Sequence, residues 1–318
     1  GLAIAGVWEG RGAAQEYVRQ EAQALHEISV RTPRRLSAGA GTFAGMTDAP
    51  NPLSVLDAPG GFPGLPPGRL ITRAVRGRLR RTRREPLLWL SDGPVDAPAA
   101  AYPAPAGLLP VLLHDRHGPQ EWWRDEDYVD PDRCSDPDDH DGETVLREFW
   151  DAVVPDREEG AEGAELIAPF DRIWPGTAWD GTPTAEPGAA AAAVAGELLA
   201  RGWLGGSPRL ALAPARRGAD VPAAIGWSGP LNHENDTARI SAVLRSWEDR
   251  FGARVLALGF ATLDLSVAAP PRTLAEALPV AAEHFAFCPD NVRQGSGTVR
   301  DYAAEALVGA AHWSFWWD

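Results

Sequence analysis

Residues 312–318 read HWSFWWD, crowding Trp313, Trp316 and Trp317 into the end of a chain with 13 tryptophans in 318 residues and a net charge of −14. An extended strand turns successive side chains to opposite faces. On that period Trp313, Phe315 and Trp317 share one face, while His312, Ser314 and Trp316 share the other. Buried rings of this size each remove about 150 Å² or more from water, worth several kcal/mol for the strand at roughly 25 cal/mol per Å². The tail therefore reads as an interior strand, not as a binding label.

Working backwards, Thr298 with Asp301 opens a short helix that Gly309 ends. Thr273 and Glu276 form a capping box before the stripe Leu274, Ala277, Leu278, Ala281 and Phe285. Pro279 falls inside that stripe and predicts a kink or a late helix start. Arg254–Phe260 and Thr262–Val267 are strands joined closely enough to make a hairpin. In the second, Leu263, Leu265 and Val267 alternate with Thr262, Asp264 and Ser266, the half-buried pattern. Thr237–Arg250 is a helix with Ile240, Val243, Leu244 and Trp247 at helical spacing and Gly252 as its stop. Arg209–Ala213 is a short strand before it. The order strand, helix, strand, strand, helix, strand is the split βαββαβ arrangement. The expected class is α+β, a two-layer α/β sandwich with its helices on one face of the sheet.

Upstream, Pro86–Leu90 and Leu108–Leu113 read as buried strands. Glu143–Val154 and Ala189–Arg201 read as helices, and 155–188 as surface loop. Arg69–Arg84 is the one basic block, read as a solvated helix or loop that balances an acidic neighbour. These divisions predict an N-terminal extension over 1–45, ahead of the single methionine Met46 and not necessarily native. A mixed α/β region over 46–185 and a C-terminal domain over 186–318, against which that region packs, follow.

Composition excludes several chemistries. All 30 basic residues are arginine, so there is no lysine for a P-loop, for a kinase-type ATP site or for a Schiff base. The acidic balance argues against nucleic acid as a partner. No apolar run is long enough for a transmembrane helix and no export signal is evident. Two cysteines without such a signal read as reduced thiols in the cytoplasm.

Gly226-Trp-Ser-Gly-Pro230, the helix Thr237–Arg250, Phe251-Gly-Ala-Arg-Val255, Thr262-Leu-Asp-Leu-Ser-Val267, Ala282-Glu-His-Phe-Ala-Phe-Cys-Pro-Asp290 and the terminal Trp-Ser-Phe-Trp-Trp-Asp318 together resemble a bacterial family called domain of unknown function 4253. The resemblance is close over about residues 205–318 and looser back to Met46. It implies a shared domain and brings no catalytic residues with it.

Several constellations carry residue types that chemistry uses. His284 and Cys288 stand four apart, the spacing of a Cys–His nucleophile pair on one helix face, although a buried thiol at a helix end accounts for them better. Asp136, Asp138, Asp139, His140 and Asp141 suggest a metal, but the calcium-loop glycine and glutamate are missing and helix capping explains them better. Gly226-Trp-Ser-Gly-Pro230 misses the nucleophile elbow and Gly39–Gly45 misses the dinucleotide fingerprint. The candidate ligand-binding residues are Asn232, His233, Glu234 and Asp236 before a helix, with Asp264 and His312 on the sheet's polar face. No metal or cofactor is expected. The leading expectation is a non-catalytic protein-interaction module, immunity- or inhibitor-like, whose partner has a basic surface. The alternative is a hydrolase that uses histidine and carboxylates, with or without a metal.

Overall fold

Seven strands and five longer helices form the framework of the described chain. In order they are β1 (Gly68–Arg76), β2 (Thr82–Ser91), β3 (Leu109–Leu113), α1 (Gly142–Val153), α2 (Gly160–Ile167), α3 (Pro187–Ala200), β4 (Arg209–Ala213), α4 (Thr237–Phe251), β5 (Arg254–Leu258), β6 (Thr262–Ser266), α5 (Leu274–Phe287) and β7 (His312–Trp316). The computed structural model describes residues 51–57, 62–76, 82–115, 119, 122, 131–156, 159–205 and 207–318. The expectations placed on residues 1–45, on Gly39–Gly45 and on much of the acidic stretch 121–130 lie outside them.

The strands form one open mixed sheet in the order β1-β2-β4-β3-β5-β6-β7. Neighbours run antiparallel except β3 and β5, which are parallel. This is the α+β class expected from the sequence, and the C-terminal elements follow in the expected order. The strand order within the sheet differs. β5, β6 and β7 form a simple meander, and β3 from the N-terminal region inserts between β4 and β5. The sheet is therefore not split in the βαββαβ manner. The N-terminal strands extend it instead of packing upon it.

Alternation along each strand builds two cores. One face carries Leu88, Leu90, Val111, Leu113, Ala211, Ala213, Leu263, Leu265, Trp313 and Phe315 against α1, α4 and α5. Trp247 of α4 lies at the centre, stacked 5.4 Å from Phe315 and meeting Trp313 edge-on at 5.7 Å. Such arrangements satisfy the ring quadrupoles as well as removing apolar area. The other face carries Trp89, Leu112, Leu210, Leu212 and Leu256 against Val194, Ala195 and Leu198 of α3. Helices thus lie on both faces, where one was expected, because the Ala-rich α3 supplies an apolar surface small enough to lie close to β5 and β6.

The helix ends follow the sequence signals. Asp141 caps α1 through Thr144 N–H at 2.8 Å, Thr273 caps α5, and Gly252 ends α4 at φ +60°, a conformation that disfavours a side chain. Two readings are corrected. The described residues of Arg69–Arg84 belong to β1 and to the start of β2, where a helix or loop was expected, although Arg69 with Asp92 and Arg73 with Asp132 do balance acidic neighbours. The stretch 155–188 includes helix α2.

β7 is an edge strand, and its outer polar groups are taken by side chains. Asn291 Nδ2 donates to Ser314 O at 2.7 Å, Asn291 Oδ1 accepts from Trp316 N–H at 3.3 Å, and the Cys288 thiol donates to Trp316 O at 2.9 Å. Three outward groups taken in this way hinder another chain from pairing along this edge.

Beneath the helices lies a fully buried carboxylate, Glu283 of α5. Arg250 of α4 grips it with two nitrogens at 2.8 and 2.6 Å, while Trp247 Nε1 and the Ala178 N–H each donate at 2.6 Å. Removing one partner of such a pair leaves an uncompensated buried charge, at a cost of about 3–5 kcal/mol. Arg250→Ala is therefore expected to lower unfolding free energy by that order in urea denaturation. An unchanged midpoint would show that the pair contributes nothing.

Candidate functional site

The six residues singled out in the sequence do not gather into one site. Asp264 and His312 come together on the α3 face of the sheet, with His312 Nε2 2.9 Å from Asp264 Oδ1. β6 and β7 pair so that His312 lies opposite Ser266 and reaches diagonally to Asp264. A third residue joins them. His114 follows β3 on the same face as Leu112, and its Nε2 lies 3.7 Å from Asp264 Oδ2 and 3.5 Å from Thr262 Oγ1. Gly259 makes room for it, since a Cβ there would sit 2.0 Å from Thr262 Oγ1 and 2.9 Å from the His114 ring. Sequence reasoning missed His114. The signal was present in the alternation of β3, which sends residues 112 and 114 to one side.

Burial alone would raise the pKa of Asp264, but the hydrogen bonds and charge of the two imidazoles outweigh it and hold the carboxyl well below the usual range. Asp264 is thus an anion in a nearly dry place. Trp203, in the turn after α3, stacks on His312 at 6.4 Å and 27° between planes, and the Arg201 guanidinium lies over Trp203 at 4.9 Å. Ser266 Oγ is fully buried beside them and has no hydrogen-bond partner.

The segment Asn232–Asp236 belongs elsewhere, and its His233, Glu234 and Asp236 side chains are engaged within the protein. Asp236 caps α4 through Ala238 N–H at 3.1 Å, and its carboxylate also accepts from Ser135 N–H at 3.0 Å and from the Ser135 hydroxyl at 2.6 Å. That hydroxyl lies 2.5 Å from His140 Nε2. Serine, histidine and aspartate meet here, but the serine proton goes to the carboxylate instead of to the imidazole. The trio therefore fastens the acidic loop to the helix rather than activating a nucleophile. Glu234 pairs with Arg239 at 2.7 Å and accepts from Asp236 N–H. His233 lies edge-on to Phe149 at 4.8 Å, and burial pushes its pKa down. Asn232 is exposed.

The other acidic candidates are likewise engaged. Asp136 and Asp141 cap the turn Pro137–Asp139 and α1, while Asp138 pairs with Arg245 at 2.6 Å. Among the described residues no group of three or more His, Cys, Asp or Glu side chains is arranged to hold a metal. Cys288 and His284 do not pair. Helix α5 ends at Phe287, so Cys288 turns to Trp316 O, and burial pushes its thiol pKa up. His284 sits among Trp247, Trp313 and Phe315, its Nδ1 3.0 Å from the Tyr302 hydroxyl.

A different surface has no polar logic of its own. The loop from Asp171 to Gly181 leaves Ile173 75% and Trp179 92% exposed, the two highest values among the described large apolar residues. Its backbone is firmly held. Trp150 Nε1 donates to Arg172 O at 3.1 Å, Ala178 bonds Glu283 through N–H and Arg250 through its carbonyl, and Gly181 N–H donates to Arg250 O at 3.0 Å. A Cβ at Gly181 would lie 2.3 Å from Ala269 O, so the loop lies tight against the core.

One titration follows from the His284 environment. Burial foremost, with the Arg250 charge second, pushes its pKa well below the ordinary value. The unfolded chain takes a proton near pH 6.5 that the folded chain refuses, so this residue makes stability fall as pH drops below that value. In nitrogen-detected spectra the His284 ring is expected to remain a single neutral tautomer as the pH falls through the ordinary histidine range. A ring that titrates near pH 6.5 would contradict the buried aromatic setting.

No helix among the described residues is long and apolar enough to cross a membrane. No curated protein and no solved structure matches the chain. Residues 209–318, from β4 through the terminal tryptophans, match the family model described as domain of unknown function (DUF4253), the family that those residues resemble in sequence.

Proposed function

We propose that this protein is a non-catalytic interaction module of the cytoplasm, of the immunity or inhibitor kind, and that it docks a protein partner through Trp179. The observation that carries the reading is a tryptophan 92% exposed on a loop anchored by a buried ion pair. A large ring left in water is costly for a free monomer and useful to an interface, where Trp is among the residues most often responsible for affinity. Anchoring removes much of the ordering cost that a mobile loop would incur on binding. Cys134 and Cys288 are not joined in a disulfide, which fits a reducing compartment.

Charge supports a basic partner. The segment 151–186 holds nine Asp and Glu against two Arg, a net −7 out of the whole-chain −14. Asp171 and Asp180 flank the two exposed apolar residues and are themselves exposed. A complementary partner offers an apolar pocket rimmed by Lys or Arg, and encounter with it is favoured at low salt.

Affinity capture from the native cytosol tests this. The full chain is expected to retain one protein in near-equal amount, and Trp179→Ala to weaken that retention about 30-fold, the equivalent of roughly 2 kcal/mol. The melting temperature of the variant should be unchanged, and raised salt should release the partner. Identical retention by the two chains, or no protein held above background, would defeat the reading.

A further inference from the structure

The sheet ends on β1 opposite β7, and the two margins are treated differently. Side chains take up outward groups of β7, as described above. At β1, the Asp92 N–H donates to Pro67 O at 2.8 Å, and Arg69 faces Leu90 two residues further on. In an antiparallel ladder the residues between such hydrogen-bonded positions turn their N–H and C=O away from the partner strand. Gly68 and Leu70 therefore direct these groups outward, and among the described residues nothing hydrogen-bonds to them. A row of open backbone groups along a nine-residue strand is the template that an added strand uses.

The side chains determine which strand fits. Arg69, Ile71 and Arg73 share one face by alternation, with Ile71 packed on the core under α1, α4 and α5. Leu70 lies on the other face, packed on the core under α3. Arg69 already holds the Asp92 carboxylate and Arg73 holds that of Asp132 at 2.5 Å, yet the Arg69 side chain remains 51% exposed. The block Arg69–Arg84 carries eight arginines and no carboxylate in a chain of net charge −14. A second copy of β1 laid along this margin would bring arginine against arginine, which is unfavourable. We propose that β1 is a docking edge for an extended acidic segment of a partner protein. The segment adds as a further strand, its carboxylates on the face of Arg69 and Arg73 and its apolar side chains beside Leu70. Main-chain hydrogen bonds supply the affinity, and the alternation of charge and apolar surface supplies the selection. This edge is independent of docking through Trp179, whose loop is held by Glu283 and Arg250.

The test is titration of the full chain with a blocked peptide in which glutamate alternates with valine, read by binding and by amide hydrogen exchange at Leu70. The peptide is expected to bind, to slow exchange of the Leu70 N–H at least about tenfold at saturation, and to be released by salt. The same peptide with lysine in place of glutamate should bind at least about tenfold more weakly. Arg73→Glu should weaken binding of the glutamate peptide by a similar factor. Binding that leaves Leu70 unprotected, equal binding of the two peptides, or no binding overturns the proposal. Protection of Leu70 that grows with chain concentration without any peptide would assign the edge to a second copy, and overturns it as well. The wild-type measurements decide the matter even if Arg73→Glu does not fold.

Discussion

The alternation of β7 is the constraint from which the rest of the molecule follows. Five residues pair with β6 residue for residue, and a shift by one position would turn Trp313 and Phe315 out of the core. The register is held from both sides, by the aromatic packing around Trp247 and by Asn291 and Cys288 on the outer edge. Once it is set, His312 has no choice of neighbour. It must lie over Asp264 on the far face, where the structure has placed a turn bearing Trp203.

Glu283 does for the helical layer what the aromatic rings do for the sheet. A carboxylate without water requires partners on every side, and here they come from Arg250 and Trp247 of α4 and from the loop before α3. Such a pair is weak evidence of net stability, since its desolvation opposes its attraction. Its stronger effect is geometric. It specifies where the loop that presents Trp179 must lie, so a group in the core determines the shape of a surface.

Much of this was legible in the sequence because local and global preferences agree over residues 209–318. The hairpin, the α4 stripe with its glycine stop, the Thr273 cap and the tail all declare themselves at short range. Elsewhere the signals conflict. β1 carries Arg69, Arg73 and Arg76, and its pairing with β2 slips between Ile71 and Thr72, so neither polarity nor period marks a strand. Helix α2 opens on Gly160 and carries a second glycine, Gly163, inside it, where glycine costs about 1 kcal/mol. Gly163 is nevertheless required there, because a Cβ would lie 2.7 Å from Pro155. His284 and Cys288 show the opposite failure. Their spacing implies a shared helix face, yet the helix stops between them. Trp179 had no signal at all, since exposure is a property of what fails to cover a residue.

The insertion of β3 makes the segment that matches the family smaller than the sheet it belongs to. Within the segment that matches the family, β4 has no ladder partner of its own, because both of its neighbours, β2 and β3, come from earlier in the chain. Excised at its sequence boundary, that segment would carry an orphan ribbon and a bare inner margin on β5. Here that rung is supplied by residues upstream of the matched segment, so the sheet's continuity depends on both parts of the chain.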